Sequence, residues 1–120
     1  MHEFGLALTL IGKIEELCKT MPGHSVRKVF VTIGVFSNVV PEAFANAFEF
    51  ARLESSAKDA ELVIETQAGK LVCEFCNGEY SPDIPVALCP HCGKLSGRIV
   101  QGRELLLTGV EVEDEDRSCP

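Results

Sequence analysis

The residues with the most distinctive chemistry are four cysteines in two CxxC pairs. They are Cys73, Cys76, Cys89 and Cys92, and twelve residues separate the second from the third. Two residues between paired cysteines allow a tight turn to aim both sulfurs at one point, and two such pairs supply four ligands for a tetrahedral metal site. The twelve intervening residues can form a hairpin that returns the second pair to the first. The spacing therefore predicts a structural Zn(II) ion bound by four thiolates in a zinc ribbon.

Gly78 and Gly93 follow the two pairs, where a chain turning around a metal commonly needs a positive φ angle, so we expect both to adopt one. Two other uses of the cysteines stay open. Disulfides are disfavoured because nothing near the N-terminus resembles a secretory signal, which also predicts a cytoplasmic protein. Iron is the sharper alternative, because the segment from Cys73 to Tyr80 reads Cys-x-x-Cys-x-Gly-x-Tyr. That pattern resembles a rubredoxin knuckle, so iron here would make a small electron-transfer protein.

A second group of metal donors lies at the start of the chain, which reads Met1-His2-Glu3. The α-amine of Met1, the amide nitrogen of His2 and the His2 imidazole can close fused five- and six-membered rings around one ion. The amide or carboxylate of Glu3 can supply a fourth donor. Nitrogen-rich tetragonal sites suit Ni(II) or Cu(II). The other interpretation is a polar histidine on a frayed terminus that binds nothing.

Composition restricts the classes of partner. The 120 residues carry a formal net charge of −7 and have 46% hydrophobic side chains. An acidic chain is a poor binder of phosphate backbones, so we expect no nucleic-acid partner. No apolar run approaches the about 20 residues that a membrane helix needs, so we expect no membrane partner.

The elements that must position both metal sites follow from hydrophobic periodicity. Apolar residues recur at helical spacing from Ala7 to Met21, which predicts a helix over 4–21 that ends at Pro22-Gly23. Alternation predicts a strand over 26–34, and Pro41 suits the first turn of a second helix. Further strands are predicted over 60–67 and 104–113. The fold class is therefore α+β: a small three-stranded sheet with two helices, plus an inserted four-cysteine zinc-ribbon module.

This order predicts three regions. An α+β nickel-binding domain covers 1–67 and is completed by the strand over 103–113, a zinc-ribbon domain covers 68–102, and an acidic disordered tail covers 114–120. Cys18 lies on the apolar stripe of the first helix and is expected to be a core residue. Cys119, in the tail, is expected to be an incidental exposed thiol.

Several motifs together resemble the HypA/HybF family of hydrogenase nickel-incorporation proteins. They are the opening Met1-His2-Glu3 before an amphipathic helix, Ile33-Gly34, Ser37-Asn38-Val39-Val40-Pro41-Glu42-Ala43, the paired CxxC knuckles and Gly102-Arg103-Glu104-Leu105. Paired knuckles alone are unspecific because many proteins carry them. Their co-occurrence with the opening tripeptide and the Val-Val-Pro-Glu-Ala helix start is specific to this family.

The resemblance implies a nickel metallochaperone for [NiFe]-hydrogenase maturation. Ni(II) would be transient cargo held at Met1, His2 and Glu3, and Zn(II) would be structural. Family members work with a HypB-type GTPase and the [NiFe]-hydrogenase large-subunit precursor, and some also serve urease maturation proteins. The implied oligomeric state is a monomer or a homodimer.

The sequence departs from the family pattern in the loop after the first strand. The usual Gly-Glu-Leu-Ser-Gly is replaced by the segment from Gly34 to Asn38, and Val39 and Val40 stand where some relatives have a proposed carboxylate ligand. The nickel shell is thus expected to depend more heavily on the terminus. No catalytic triad, phosphate-binding loop or paired acidic site accompanies the knuckles, so we expect no enzyme and no catalytic residue. The alternative function is a zinc-ribbon adaptor that binds proteins and transfers no nickel.

Overall fold

The computed structural model describes residues 2–82 and 86–114. In chain order the elements are α1 (His2–Cys18), β1 (His24–Gly34), α2 (Pro41–Ala51), β2 (Glu61–Gln67), β3 (Lys70–Val72), β4 (Glu79–Tyr80), β5 (Arg98–Gln101) and β6 (Leu105–Asp114). None of the helices in this part of the chain is long and apolar enough to cross a bilayer. The α+β class with a four-cysteine module is confirmed, although Met1, residues 83–85 and residues 115–120 lie outside the described chain.

Helix α1 begins two residues earlier and ends three residues earlier than the periodicity predicts. Its buried side chains are the early members of the predicted stripe, Ala7, Leu10, Ile11 and Ile14, whereas Leu17 is exposed and Cys18 is only partly buried. After Cys18 the backbone tightens, because the N–H groups of Thr20 and Met21 donate to carbonyls three residues back. Gly23 then takes a positive φ of 86° and turns the chain into β1.

Helix α2 begins at the predicted proline and packs against α1. Phe44 and Phe48 are completely buried, with ring centroids 6.4 Å apart. The next phenylalanine, Phe50, is 71% exposed because it points from the opposite face of the same helix. A further link between α1 and the segment after α2 is the Glu15 carboxylate, which accepts hydrogen bonds from the backbone and hydroxyl of Ser56 at 2.6 and 2.9 Å.

The first sheet has three strands in the order β2-β1-β6, so the strand that follows the ribbon rejoins the sheet, as predicted. In β1 the alternate residues Val29, Val31 and Ile33 are buried, which is the period-two pattern of a strand with one covered face. The second sheet belongs to the ribbon and has the order β4-β3-β5, with both neighbours of β3 antiparallel to it.

Three glycines lie where the segments leading into and out of the ribbon cross the loop after β1. A Cβ on Gly34 would lie 2.1 Å from the Gly102 carbonyl oxygen, and one on Gly69 would lie 2.1 Å from the Phe36 ring. Gly102 itself has a φ of 99°. Backbone hydrogen bonds join the same segments: Gly34 N–H to Glu104, Val35 N–H to Gln67 and Phe36 N–H to Gly102. Only glycine permits this close approach of three backbones.

The described chain divides into two compact units. Residues 2–31, 40–64 and 107–114 form one, and residues 32–39, 65–82 and 86–106 form the other. The assignment of nickel binding to 1–67 with 103–113, and of zinc binding to 68–102, stays a prediction. Of the predicted tail over 114–120, Asp114 is the last residue of β6, while the remainder, including Cys119, lies outside the described residues.

The compact unit that contains α1 and α2 should be strongly destabilised by Phe48→Ala. Removing a completely buried ring leaves a cavity beside Phe44, so we expect the free energy of unfolding to fall by about 3–5 kcal/mol. Guanidinium denaturation followed by helical circular dichroism measures this loss. Phe50→Ala is the matched control on the same helix and should cost less than about 1 kcal/mol, since its ring is mostly in water. Equal losses in the two variants would contradict the assignment of the core face.

Candidate metal centres

The four knuckle cysteines converge as predicted. Their sulfur atoms all lie within 4.8 Å of one another. Cys73 Sγ is 3.6 Å from Cys92 Sγ, and Cys76 Sγ is 3.6 Å from Cys89 Sγ. A tetrahedron of thiolates at the usual zinc–sulfur distance has an edge of about 3.8 Å. The donor set and its spacing therefore fit a tetrahedral thiolate-bound ion such as Zn(II).

The same distances exclude disulfides among these four residues, because a sulfur–sulfur bond is about 2.05 Å long. The four cysteines differ in burial: Cys73 and Cys89 are buried, whereas Cys76 and Cys92 are exposed. Each knuckle thus contributes one inner, buried cysteine (Cys73 or Cys89) and one outer, exposed cysteine (Cys76 or Cys92).

The two knuckles have the same backbone hydrogen-bond pattern. In the first, Cys73 N–H donates to the Gly78 carbonyl and Asn77 N–H donates to the Cys73 carbonyl, at 3.0 and 2.9 Å. In the second, the equivalent bonds from Cys89 to Lys94 and from Gly93 to Cys89 have the same lengths, 3.0 and 2.9 Å. The strand pairs that flank the knuckles correspond as well, with Val72 opposite Glu79 in the first and Leu88 opposite Leu95 in the second. Residues 73–78 and 89–94 are therefore structural equivalents.

Backbone amides also face the sulfurs. Phe75 N–H lies 3.4 Å from Cys73 Sγ, and His91 N–H lies 3.4 Å from Cys89 Sγ. Donors in this position favour the charged thiolate over the thiol and so support metal binding.

The expectation that Gly78 has a positive φ is wrong. The left-handed residue of the first knuckle is Asn77, with a φ of 61°, and its equivalent in the second knuckle is Gly93, with a φ of 77°. Asparagine is one of the few side chains that tolerate this conformation. Gly78 is needed for space instead, since a Cβ there would lie 2.5 Å from the His91 ring and 3.3 Å from Cys76 Sγ. Aligning the two knuckles residue by residue would have identified Asn77 from the sequence.

Side chains cross between the knuckles at equivalent positions. His91 is an exposed residue of the second knuckle that lies against Gly78, and its Nε2 donates to the Glu79 carbonyl at 3.2 Å. The equivalent of His91 in the first knuckle is Phe75, and Lys94 Nζ lies 4.4 Å from the centre of its ring. That cation–π contact is exposed and contributes about 0.5–1 kcal/mol.

The thiols of the metal-free knuckles differ in acidity. Burial raises the pKa of Cys73, but hydrogen bonds from the backbone N–H groups of Cys76 and Phe75, together with those from the Cys92 and Cys76 thiols, outweigh it and lower the pKa to about 6. For Cys76, the Gly78 N–H lowers the pKa, but partial desolvation of the sulfur and the neighbouring thiols raise it to about 11. For Cys92, the Lys94 N–H also lowers the pKa, but partial desolvation and the Cys73 and Cys89 thiols leave it raised. One inner thiol is thus the first to ionise.

The predicted nickel residues lie in the first turn of α1, except Met1, which lies outside the described residues. His2 is exposed and Glu3 is half-buried. The pKa of Glu3 is lowered, first by a hydrogen bond from its own backbone N–H and then by one from the Val40 N–H. Val40 is the residue that precedes α2 and caps it without a side-chain hydrogen bond. Glu3 therefore places its carboxylate at the start of α2, a contact that no sequence pattern indicated.

Zinc binding to metal-free protein should release protons. The Cys76 and Cys92 thiols have raised pKa values and are protonated at neutral pH, so the ion must displace at least those two protons. Affinity should fall as pH falls, and more steeply below the Cys73 pKa of about 6, where a further proton competes with the metal. Calorimetric titrations at pH 7 in two buffers with different ionisation enthalpies count the released protons. A binding enthalpy that is independent of the buffer would contradict the predicted release.

Comparison with known proteins finds the same family by a family model and by individual relatives. The family model described as "Hydrogenase/urease nickel incorporation, metallochaperone, hypA" matches residues 1–112. The hydrogenase maturation factor HypA of Aquifex aeolicus is 35% identical over 113 residues, covering 94% of this chain and 98% of the relative. That of Wolinella succinogenes is 35% identical over 117 residues, covering 97% and 98%.

Solved structures agree with the sequence comparison. The solution structure of the Ni metallochaperone HypA from Helicobacter pylori superposes with a TM-score of 0.68 and 32% identity, covering 91% of this chain and 95% of that one. A second HypA solution structure gives a TM-score of 0.72 and 33% identity, covering 96% and 98%. The family model spans both the terminal tripeptide and the four-cysteine site, and the fold is shared over nearly the whole chain. We conclude that this chain belongs to the HypA family of nickel-incorporation metallochaperones.

Proposed function

We propose that this protein carries Ni(II) to [NiFe]-hydrogenase during maturation of that enzyme. In this proposal Met1, His2 and Glu3 hold the nickel as transient cargo, and Cys73, Cys76, Cys89 and Cys92 hold a structural Zn(II). The protein is a carrier and catalyses no reaction of its own.

The observation that carries the proposal is the place of His2 and Glu3 in the first turn of α1. The first four N–H groups of a helix have no carbonyl acceptor within the helix. The amide nitrogens of His2 and Glu3 are therefore available as metal donors without breaking any hydrogen bond of the helical ladder. The exposed imidazole of His2 can reach the same ion, and Ni(II) suits such a nitrogen-rich set.

Release of the cargo fits this location. A chelate at the end of a helix is open to solvent, so a receiving site can displace its donors one at a time. Glu3 adds a constraint, since its carboxylate faces the Val40 N–H. We therefore assign the fourth nickel donor to the Glu3 amide rather than to its carboxylate.

The zinc assignment follows from the closed donor set. Four thiolates fill a tetrahedral ion and leave no position for activated water, which is the arrangement of structural zinc sites. Among the described residues between Gln67 and Leu105, the buried cluster is small and consists of Leu71, Cys73, Tyr80 and Cys89. Zinc binding would therefore supply much of the folding free energy of the ribbon.

The proposed partners are a HypB-type GTPase and the [NiFe]-hydrogenase large-subunit precursor, with urease maturation proteins as further recipients. The proposed location is the cytoplasm, as a monomer or homodimer. Support for the hydrogenase comes from relatives named hydrogenase maturation factors, and support for urease comes from the description of the family model.

Nickel titration tests the terminal site. Zinc-loaded, tag-free protein should bind one Ni(II) per chain, and His2→Ala should weaken that binding by more than about tenfold, since even loss of an outer-shell contact commonly costs that much. Isothermal calorimetry measures both the stoichiometry and the affinity.

The matched control is His24→Ala, because His24 is an exposed histidine at the start of β1. This variant should bind nickel like the unsubstituted protein. Equal nickel binding by His2→Ala and His24→Ala would move the nickel away from the terminus and overturn the proposed site.

Delivery can be tested in cells that lack their own HypA but contain a [NiFe]-hydrogenase. The unsubstituted chain and His24→Ala should restore the nickel content of the hydrogenase large subunit, whereas His2→Ala should not. Nickel analysis of the purified subunit, beside its activity, is the measurement. Full restoration by His2→Ala would show that the terminal chelate is not needed for delivery.

One observation favours the adaptor alternative. Leu88 and Leu95 lie opposite each other on the ribbon and are 51% and 77% exposed, so they form a small apolar surface that is available to a protein partner. A purified protein with one zinc and no affinity for nickel would support an adaptor. A red protein with iron in the knuckles would support electron transfer instead.

A further inference from the structure

The two knuckles match in their backbone hydrogen bonds but differ at one position. The residue after the first cysteine is Glu74 in one knuckle and Pro90 in the other. Proline has no N–H group, so the second knuckle has no donor to satisfy at this point. The Glu74 N–H does need an acceptor, and it donates to the hydroxyl of Ser96 at 3.0 Å.

Ser96 makes a second contact with the first knuckle. Its carbonyl oxygen accepts a hydrogen bond of 2.7 Å from the Tyr80 hydroxyl. Tyr80 belongs to β4, the strand that leaves the first knuckle, and it packs in the buried cluster with the inner ligands Cys73 and Cys89. A residue that follows the second knuckle thus binds both the loop of the first knuckle and the strand after it.

Gly97, the residue after Ser96, shows how closely this segment approaches Tyr80. A Cβ on Gly97 would lie 2.6 Å from the Tyr80 hydroxyl oxygen and 3.0 Å from a methyl carbon of Leu71. No side chain fits there without displacing the Tyr80 hydrogen bond, so Gly97 is what lets Ser96 reach the first knuckle. The contact is consequently built from two adjacent residues of one segment.

We infer that Ser96 is a positioning residue for the four-cysteine site. Its two hydrogen bonds hold the knuckles in register through contacts that involve no metal, so they favour the assembled arrangement of sulfurs. This role of Ser96 rests on the proposed binding of zinc by these cysteines. The two knuckles then have unequal roles, since only the first needs this external acceptor.

A double-variant experiment tests the specific contact. Ser96→Ala removes the hydroxyl that accepts from the Glu74 N–H and keeps the carbonyl that accepts from Tyr80. The variant should weaken zinc affinity by about threefold to tenfold, the usual effect of one hydrogen bond. Ser81→Ala is the matched control, because Ser81 is an exposed serine of the same ribbon, and it should change nothing. Glu74→Pro removes the donor and copies the second knuckle. In the Glu74→Pro background, Ser96→Ala should therefore cause no further loss.

Two readouts are needed. Competition with a chromophoric chelator gives the zinc affinity, and the ligand-field spectrum of Co(II) bound in place of zinc reports the arrangement of the four sulfurs. Ser96→Ala should change the cobalt spectrum when Glu74 is present and leave it unchanged when Pro stands at that position.

The outcomes separate this inference from the proposed function. If the unsubstituted protein binds neither zinc nor cobalt at the cysteines, the proposed zinc site is wrong and the inference fails with it. If it binds both, and Ser96→Ala matches Ser81→Ala or has the same effect in both backgrounds, the inference alone is overturned.

Discussion

The convergence of four cysteine sulfurs within 4.8 Å is the constraint on which the ribbon depends. For Cys76, the Gly78 N–H lowers the pKa, but desolvation and hydrogen bonds among the neighbouring thiols outweigh it and raise the pKa. For Cys73, desolvation raises the pKa, but hydrogen bonds from backbone N–H groups and from neighbouring thiols outweigh it and lower the pKa. Among the described residues, the buried cluster of the ribbon has four members, of which two are knuckle cysteines, with Phe36, Ala87 and Ile99 partly buried against it. Apolar packing therefore offsets little of the free energy needed to bring the four sulfurs together. Backbone amides that face the sulfurs, the paired strand residues that flank each knuckle and the contacts of Ser96 also hold the sulfurs together.

The unit that contains α1 and α2 differs from the ribbon, because its core is formed by apolar side chains and needs no metal. Phe44, Phe48 and the buried face of α1 supply ordinary apolar packing. That packing holds the beginning of α1 at a defined place, where the Glu3 carboxylate faces the Val40 N–H at the start of α2. An anion is favoured at a helix N-terminus, where N–H groups are unpaired. The proposed nickel site would therefore be exposed to solvent and still be built on a well-packed helix.

Sequence patterns predicted most of the architecture and the convergence of the four knuckle cysteines. Periodicity placed both helices, and alternation placed β1, β2 and β6, because these signals depend only on which faces are buried. The errors are local: α1 ends earlier than its apolar stripe, and the positive φ of the first knuckle belongs to Asn77 rather than Gly78. Short strands such as β4, with two residues, gave no usable pattern. Met1 and Cys119 lie outside the described chain, so the predictions for them stay predictions.

The sequence by itself determined which side chains could bind metal, because ligand chemistry depends on residue type and the CxxC spacing forces each pair into one turn. It also determined the family resemblance, through motifs that are contiguous in the chain. Only the tertiary structure decided which residues that are distant in the chain contact each other at the proposed sites. Ser96 meets Glu74 and Tyr80, and Glu3 meets Val40, across separations of 16 to 37 residues along the chain. Such pairs have no periodicity or spacing rule, since they arise when independent elements fold against each other.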